Sequence, residues 1–99
     1  MKQFDSRNVL KAIQYALDGG QSLHIWRGEW PDPKPSCFVN GQLWGHLIDQ
    51  DVARLITTAK RLGVRNIVVA NRGRRTQHVD LCGKPLTRAV KECEGSAAA

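Results

Sequence analysis

Apolar residues recur along this chain with two periods, and the changes of period mark its elements. Over residues 6–18, Val9, Leu10, Ile13, Ala16 and Leu17 fall at helical spacing. Ser6 is a candidate N-cap for that helix, and Gly19-Gly20 its stop. Residues 22–27 alternate instead, with Leu23 and Ile25 on one side and His24 and Trp26 on the other, which predicts a strand. Pro31, Pro33 and Pro35 follow at alternate positions. A central strand cannot lose so many ladder donors, so 28–36 reads as a surface loop.

Cys37 to Trp44 places Asn40-Gly41 between apolar and aromatic residues. Both central positions of a type I′ turn need positive φ, which Asn-Gly supplies, so this segment predicts a β-hairpin. Its second arm runs on through His46 to Ile48. Asp49 or Asp51 then caps a helix to about Leu62, with Val52, Leu55, Ile56, Ala59 and Leu62 on one face and Gly63 as stop. The β-branched run Asn66–Ala70 predicts a strand. Residues 71–76 read as a loop, and 77–81 as a short strand or its approach. Pro85 suits the first turn of a last helix, whose apolar face is Leu86, Ala89, Val90 and Cys93. The predicted order is α-β-β-β-α-β-(β)-α. It describes one small α+β domain over residues 1–94, a mixed sheet with a central hairpin packed by about three helices. Residues 95–99 read as a disordered tail or an appended scar.

Size sharpens the core. A chain of 99 residues buries only about 60–65% of its unfolded surface, so Trp26, Trp44, Phe38 and the helix faces are expected inside. A monomer or a homodimer fits equally well. No stretch approaches the roughly 18 apolar residues of a membrane span, so no membrane partner is expected. The N-terminus lacks an apolar signal-peptide region. Cys37, Cys82 and Cys93 are an odd set with no C-x-x-C spacing, which argues for reduced thiols rather than a disulfide framework or a zinc site. These features together predict a cytoplasmic protein.

Charge alters the picture further. Fifteen Lys and Arg against nine Asp and Glu give +6, which excludes an acidic solvating chain and suggests an anionic partner. The charge is uneven. Residues 60–91 carry nine basic residues and one acid, Asp80, a net of +8, whereas residues 1–59 sum to zero. Arg72-Gly73-Arg74-Arg75 is its densest part, and guanidinium forks suit phosphate. Arg61, Arg65, Lys84 and Arg88 join it as candidate anion-binding residues. Trp30, within the proline loop, is the better candidate for stacking a base, and Trp44 the better core residue.

His46 follows the hairpin, and His78 and Asp80 follow the basic loop. If those segments are sheet neighbours, the imidazoles can face one cleft. Two imidazoles with arginines suit phosphodiester or phosphate chemistry, one taking a proton and the other giving one, with Asp80 orienting a ring. The plain alternative is one structural hydrogen bond per histidine. His24, mid-strand beside Trp26, reads as structural. The same three residues are metal-type ligands, but no short ligand spacing supports a metal, and no cofactor is expected.

The pattern Gly41-x-x-Trp44-x-His46-Leu47-Ile48, then Leu55-x-x-x-Ala59-x-Arg61-Leu62-Gly63, then His78-Val79-Asp80-Leu81 resembles a family of small bacteriophage and bacterial proteins catalogued as a domain of unknown function. The resemblance covers roughly residues 41–90. It implies a phage or mobile-element context and directs attention to Trp44, His46, Arg61, His78 and Asp80. The chain departs from the family pattern at Gln50, where an acid is expected, at Ile56, where a second histidine is expected, and at Val79, where an aromatic is expected. Lost groups of an active site would leave this copy altered or inactive.

The first expectation is therefore a small basic phage-type protein that acts by binding rather than catalysis. Its partner would be nucleic acid or a host nucleoprotein in the bacterial cytoplasm, with inhibition of host defence as one such role. The second is a His46/His78 phosphodiesterase, nuclease or phosphotransferase. The third is an interaction module for an acidic protein.

Overall fold

The computed structural model describes residues 1–27 and 43–98, with side chains as far as residue 95. It is an α+β domain in which the described residues form four strands, β1 (Lys2–Phe4), β2 (Gln21–Arg27), β3 (Leu43–Asp49) and β4 (His78–Leu81), lying in the order β1-β2-β3-β4. β1 runs parallel to β2, and the other two pairs are antiparallel. Among the described residues three helices pack on this mixed sheet: α1 (Val9–Leu17), α2 (Val52–Leu62) and α3 (Gly83–Ala98).

The helices form where the apolar stripe and the end signals agree. The Asp51 side chain accepts from Arg54 N and caps α2. Gly63, at φ 95°, ends it in the left-handed conformation, so its N–H and that of Val64 reach back to Lys60 O and Ala59 O. The start of α1 is more elaborate than a Ser6 cap. Asp5 caps a 3-10 turn over Ser6–Asn8, and α1 proper begins at Val9.

Alternation of side chains sorts the sheet into two faces. Leu23, Ile25, Leu47, Val79 and Leu81 point to one face and pack on Leu55, Ala59 and Leu62 of α2 and Leu86, Ala89 and Cys93 of α3. This is the main core. The opposite face is covered in part by α1, whose Ala12 and Ala16 pack on Ile48. Ser22 Oγ donates to Ala12 O at 2.7 Å and fastens α1 there. The remainder of that face presents Trp26, Trp44, His46, His78 and Asp80, which share it by register.

Several expectations need correction. β1 was not foreseen; three residues carry too little periodicity to announce a strand. The run Asn66–Ala70 is not a strand. β4 already occupies the free side of β3, so this segment can only follow β4's outer edge, where Ala70 makes an isolated bridge to His78. Its alternation survives, with Ile67 and Val69 packed against the main core and Val68 65% exposed. α3 continues through Ala98, so the tail expected after 94 is helical to that point; small residues such as Ala sustain a helix. Cys82 is disulfide-bonded, against the expectation of reduced thiols, whereas Cys93 is free and buried. The Asn40-Gly41 hairpin turn, Phe38, Trp30 and the proline loop lie outside the described residues. No helix among the described residues is long and apolar enough to cross a membrane.

Candidate functional site

The register of the sheet builds the site. His24 pairs with His46 across β2 and β3, and His46 pairs with Asp80 across β3 and β4. His78, two residues before Asp80 on β4, therefore shares its face and sits opposite Ile48. The outcome is a row of side chains on one side of three adjacent strands.

His46 Nε2 and His78 Nε2 each lie 3.3 Å from Asp80 Oδ1. Their ring centroids are 4.4 Å apart. The two imidazoles are mostly buried, with 22% and 15% of each side chain exposed, and Asp80 is 39% exposed. Around them Trp44 makes an edge contact to His46 at 5.0 Å, and Trp26 stacks on Trp44 at 5.9 Å.

The outer nitrogens of the two rings define where protons sit. His78 Nδ1 lies 2.6 Å from Thr76 O, and a carbonyl only accepts, so this nitrogen carries a proton. The Trp26 indole N–H donates to His46 Nδ1 at 3.3 Å, so that nitrogen offers its lone pair and the proton of the neutral ring is on Nε2, facing Asp80. A neutral His78 would then point the lone pair of Nε2 at a carboxylate lone pair. A positive charge has to lie in that gap.

A proton on His78 Nε2 removes that conflict. Burial opposes charge on His78, but the hydrogen bonds to Asp80 and to the Thr76 carbonyl outweigh it and raise its pKa. His46 moves the other way. Burial, then the neighbouring positive charge on His78, push it down to about 4 despite Asp80. His24 is fully buried; burial lowers its pKa, against the pull of Ser6 and Asp5. Its Nε2 lies 3.3 Å from Ser6 O and ties the 3-10 turn to the sheet.

His46 and His78 also line an open hollow of about 240 Å³. Val9 and Ile13 of α1, Trp26, Ile48, Asn71 and Thr76 complete its lining. Asn71 and Thr76 are the residues that bracket Arg72–Arg75, so the basic loop begins and ends at the hollow.

That loop is tied down. Gln50 Nε2 donates to Arg74 O and Arg75 O at 3.2 and 3.0 Å. Gly73 N donates to Gln77 Oε1 at 2.8 Å, while Gln77 Nε2 donates to Asp49 O at 2.8 Å. Asn71 adopts φ 53° and Gly73 φ 82°, the left-handed turns that let the chain fold back this tightly. Arg72, Arg74 and Arg75 are exposed, and none forms an ion pair among the described residues.

The other basic candidates separate from this loop. Arg61 pairs with Glu92, and Arg88 donates to Leu62 O at 3.0 Å, so both join α2 to α3. Those helices pack behind the sheet, on the face opposite His46 and Asp80. Arg65 and Lys84 are exposed, just beyond α2 and in the first turn of α3. The basic candidates therefore do not form one face: the 72–75 loop meets the hollow, whereas α2 and α3 carry Arg61 and Arg88 behind the sheet.

Gln50 donates through its amide, which a carboxylate could not do. Ile56 belongs to α2 and Val79 to the main core, and neither lines the hollow. Three contributors were not anticipated. Trp26 was expected in the core but sets the tautomer of His46. Asp49, fully buried, was expected as a cap but is gripped by Arg54 Nε and Nη2 at 2.7 Å each and by Gln21 Nε2 at 2.9 Å. Gln77 carries the loop. No local pattern announces such long-range partners; the one cue is polar residues falling at strand ends.

No family model, curated protein or solved structure matches the chain. The geometry therefore carries the functional reading.

Proposed function

We propose that this chain binds the phosphate backbone of nucleic acid through the loop bearing Arg72, Arg74 and Arg75. The observation that supports the reading is the construction of the loop: its backbone is pinned by Gln50 and Gln77 while three guanidiniums stay exposed. Arginines on a braced loop lose less freedom on meeting phosphate than arginines on a slack one. The test is fluorescence anisotropy with single- and double-stranded DNA and RNA at several salt concentrations. Three phosphate contacts to duplex DNA give a log–log salt slope of about −2.7, so a fourfold rise in salt weakens binding about 40-fold. Replacing Arg72, Arg74 and Arg75 together by Gln should flatten that slope. An unchanged slope in the triple variant overturns the reading.

A second reading, phosphoester chemistry, is favoured by a different observation. Two imidazoles line the hollow with Asn71 and Thr76 at the foot of the same loop, and both lie 3.3 Å from Asp80. A phosphoester held by the arginines would lie next to groups able to exchange protons with it. Turnover of nucleic acid or of a chromogenic phosphodiester, lost in both His46→Ala and His78→Ala, is the expected result. No turnover by the wild-type chain, with or without added divalent ions, ends this reading and leaves the first intact.

A further inference from the structure

We infer that His46 Nε2, His78 Nε2 and Asp80 Oδ1 form a site for one divalent transition-metal ion of the zinc class. The inference deepens the phosphoester reading, since such an ion would offer its open position to a phosphate oxygen at the hollow.

The distances carry it. A charged N–H···O pair closes to about 2.7–2.9 Å, and in this protein the Arg54–Asp49 pair reaches 2.7 Å. The two histidine–Asp80 separations are both 3.3 Å, although the imidazoles are mostly buried. That is long for an ion pair. It matches the edge of a tetrahedron whose metal–ligand bonds are about 2.0–2.1 Å, which is about 3.3–3.4 Å. One ligand atom from each of the three residues lies within 4.8 Å of the other two. The widest pair therefore has to close by at most about 1.4 Å, within the reach of side-chain rotation.

The surroundings have the right form. Metal-bound histidines usually donate their other N–H to a carbonyl or carboxylate, which fixes the lone pair toward the ion. His78 does this through Nδ1 to Thr76 O at 2.6 Å. His78 and Asp80 sit on one face of β4, and His46 is the register partner of Asp80, so two rigid strands supply all three ligands. Two nitrogens and one oxygen suit zinc, cobalt or ferrous iron and not magnesium, which prefers oxygen.

One contact resists the ion. Binding through His46 Nε2 moves the ring proton to Nδ1, where it meets the Trp26 N–H, a second donor. The indole must turn aside. Trp26→Phe, which removes that donor, should therefore bind metal more tightly than the wild type, an effect no adventitious surface site would show.

The test uses the full chain, stripped with EDTA and dialysed, and no nucleic acid. Calorimetry with zinc chloride should give one equivalent, and cobalt chloride should produce the visible bands of a four-coordinate centre. His46→Ala, His78→Ala and Asp80→Asn should each weaken binding at least about tenfold, and magnesium should not compete. Asp80 is partly exposed, so Asp80→Asn keeps the test decisive if a histidine variant fails to fold. Absence of saturable binding overturns the inference, and so does binding that survives Asp80→Asn, which would indicate cysteine or surface ligands. One bound equivalent without phosphoester turnover upholds the metal site and ends the phosphoester reading alone.

Discussion

Acidification should destabilise the metal-free protein through His46 in particular. In the folded chain this imidazole is pushed down to about 4 by burial and by the charge on His78, against an ordinary value of 6.5. A base with a depressed folded pKa stays neutral in the native state while the unfolded chain takes up a proton. The associated stability is therefore full above pH 6.5 and is lost as pH falls from 6.5 toward 4. Integrating that difference gives a loss of about 2–3 kcal/mol by pH 4.5. His78 has the opposite sign. Its raised pKa favours the folded state in acid, and that contribution disappears as pH rises through the folded value. The informative variant is His46→Gln. Its amide oxygen can accept from the Trp26 indole and its amide N–H can donate to Asp80, so it reproduces the neutral tautomer without titrating. Urea unfolding of both proteins at pH 7.5, 6.5, 5.5 and 4.5, with EDTA present, measures the effect. Protonation of carboxylates destabilises both alike, so the gap between them isolates His46. The variant should gain about 2–3 kcal/mol on the wild type between pH 7.5 and 4.5. Parallel curves would refute the burial and charge argument for this ring.

Other outcomes follow from the same contacts. Arg54→Met should destabilise by about 3–5 kcal/mol, because it leaves the fully buried Asp49 carboxylate without its charged partner; a loss under about 1 kcal/mol in chemical denaturation would contradict this. Gly45→Ala should cost about 1–3 kcal/mol by overpacking. The added Cβ would meet His24 O at 3.1 Å and Leu86 Cδ1 at 3.2 Å, and the backbone oxygen cannot move away; an unchanged melting temperature would count against the packing of β3 on β2. Gln50→Ala should weaken nucleic-acid binding several-fold with no change in net charge, by releasing Arg74 O and Arg75 O. Equal affinity and equal salt slope would show that the brace is irrelevant to binding.

Parts of this structure are plain in the residues. The stripe Val52, Leu55, Ala59, Leu62 between Asp51 and Gly63 reads as a helix and is one, since cap, period and stop all act within a turn or two of chain. The alternation at Leu23 to Trp26 likewise reads as a strand. The run Ile67–Val69 misleads for the opposite reason. Its β-branched residues favour extended backbone, but a ladder also needs a vacant neighbour, and β4 has taken the side of β3. Net charge misleads in the same way: Arg61 and Arg72 are close in the chain, yet one joins two helices behind the sheet and the other belongs to the loop at the hollow.

The candidate site divides along the same line. The residue types were legible: His46, His78, Asp80 and the arginine loop are visible as uncommon polar groups on or beside predicted strands. Their convergence was not, because it depends on which strands pair and in what register. A shift of one residue in the β3–β4 pairing would separate His46 from Asp80 and turn the alternation against the core. The amino-acid sequence alone determined the local elements, the α+β class and the chemistry on offer, all of which arise from interactions between near neighbours. Only the tertiary structure decided that two histidines from different strands meet one carboxylate oxygen, that Trp26 holds one ring's tautomer, and that the arginine loop is braced at their side. Those outcomes belong to long-range packing, in which the hydrophobic faces of β2, β3 and β4, buried against α2 and α3, fix where their polar faces must point.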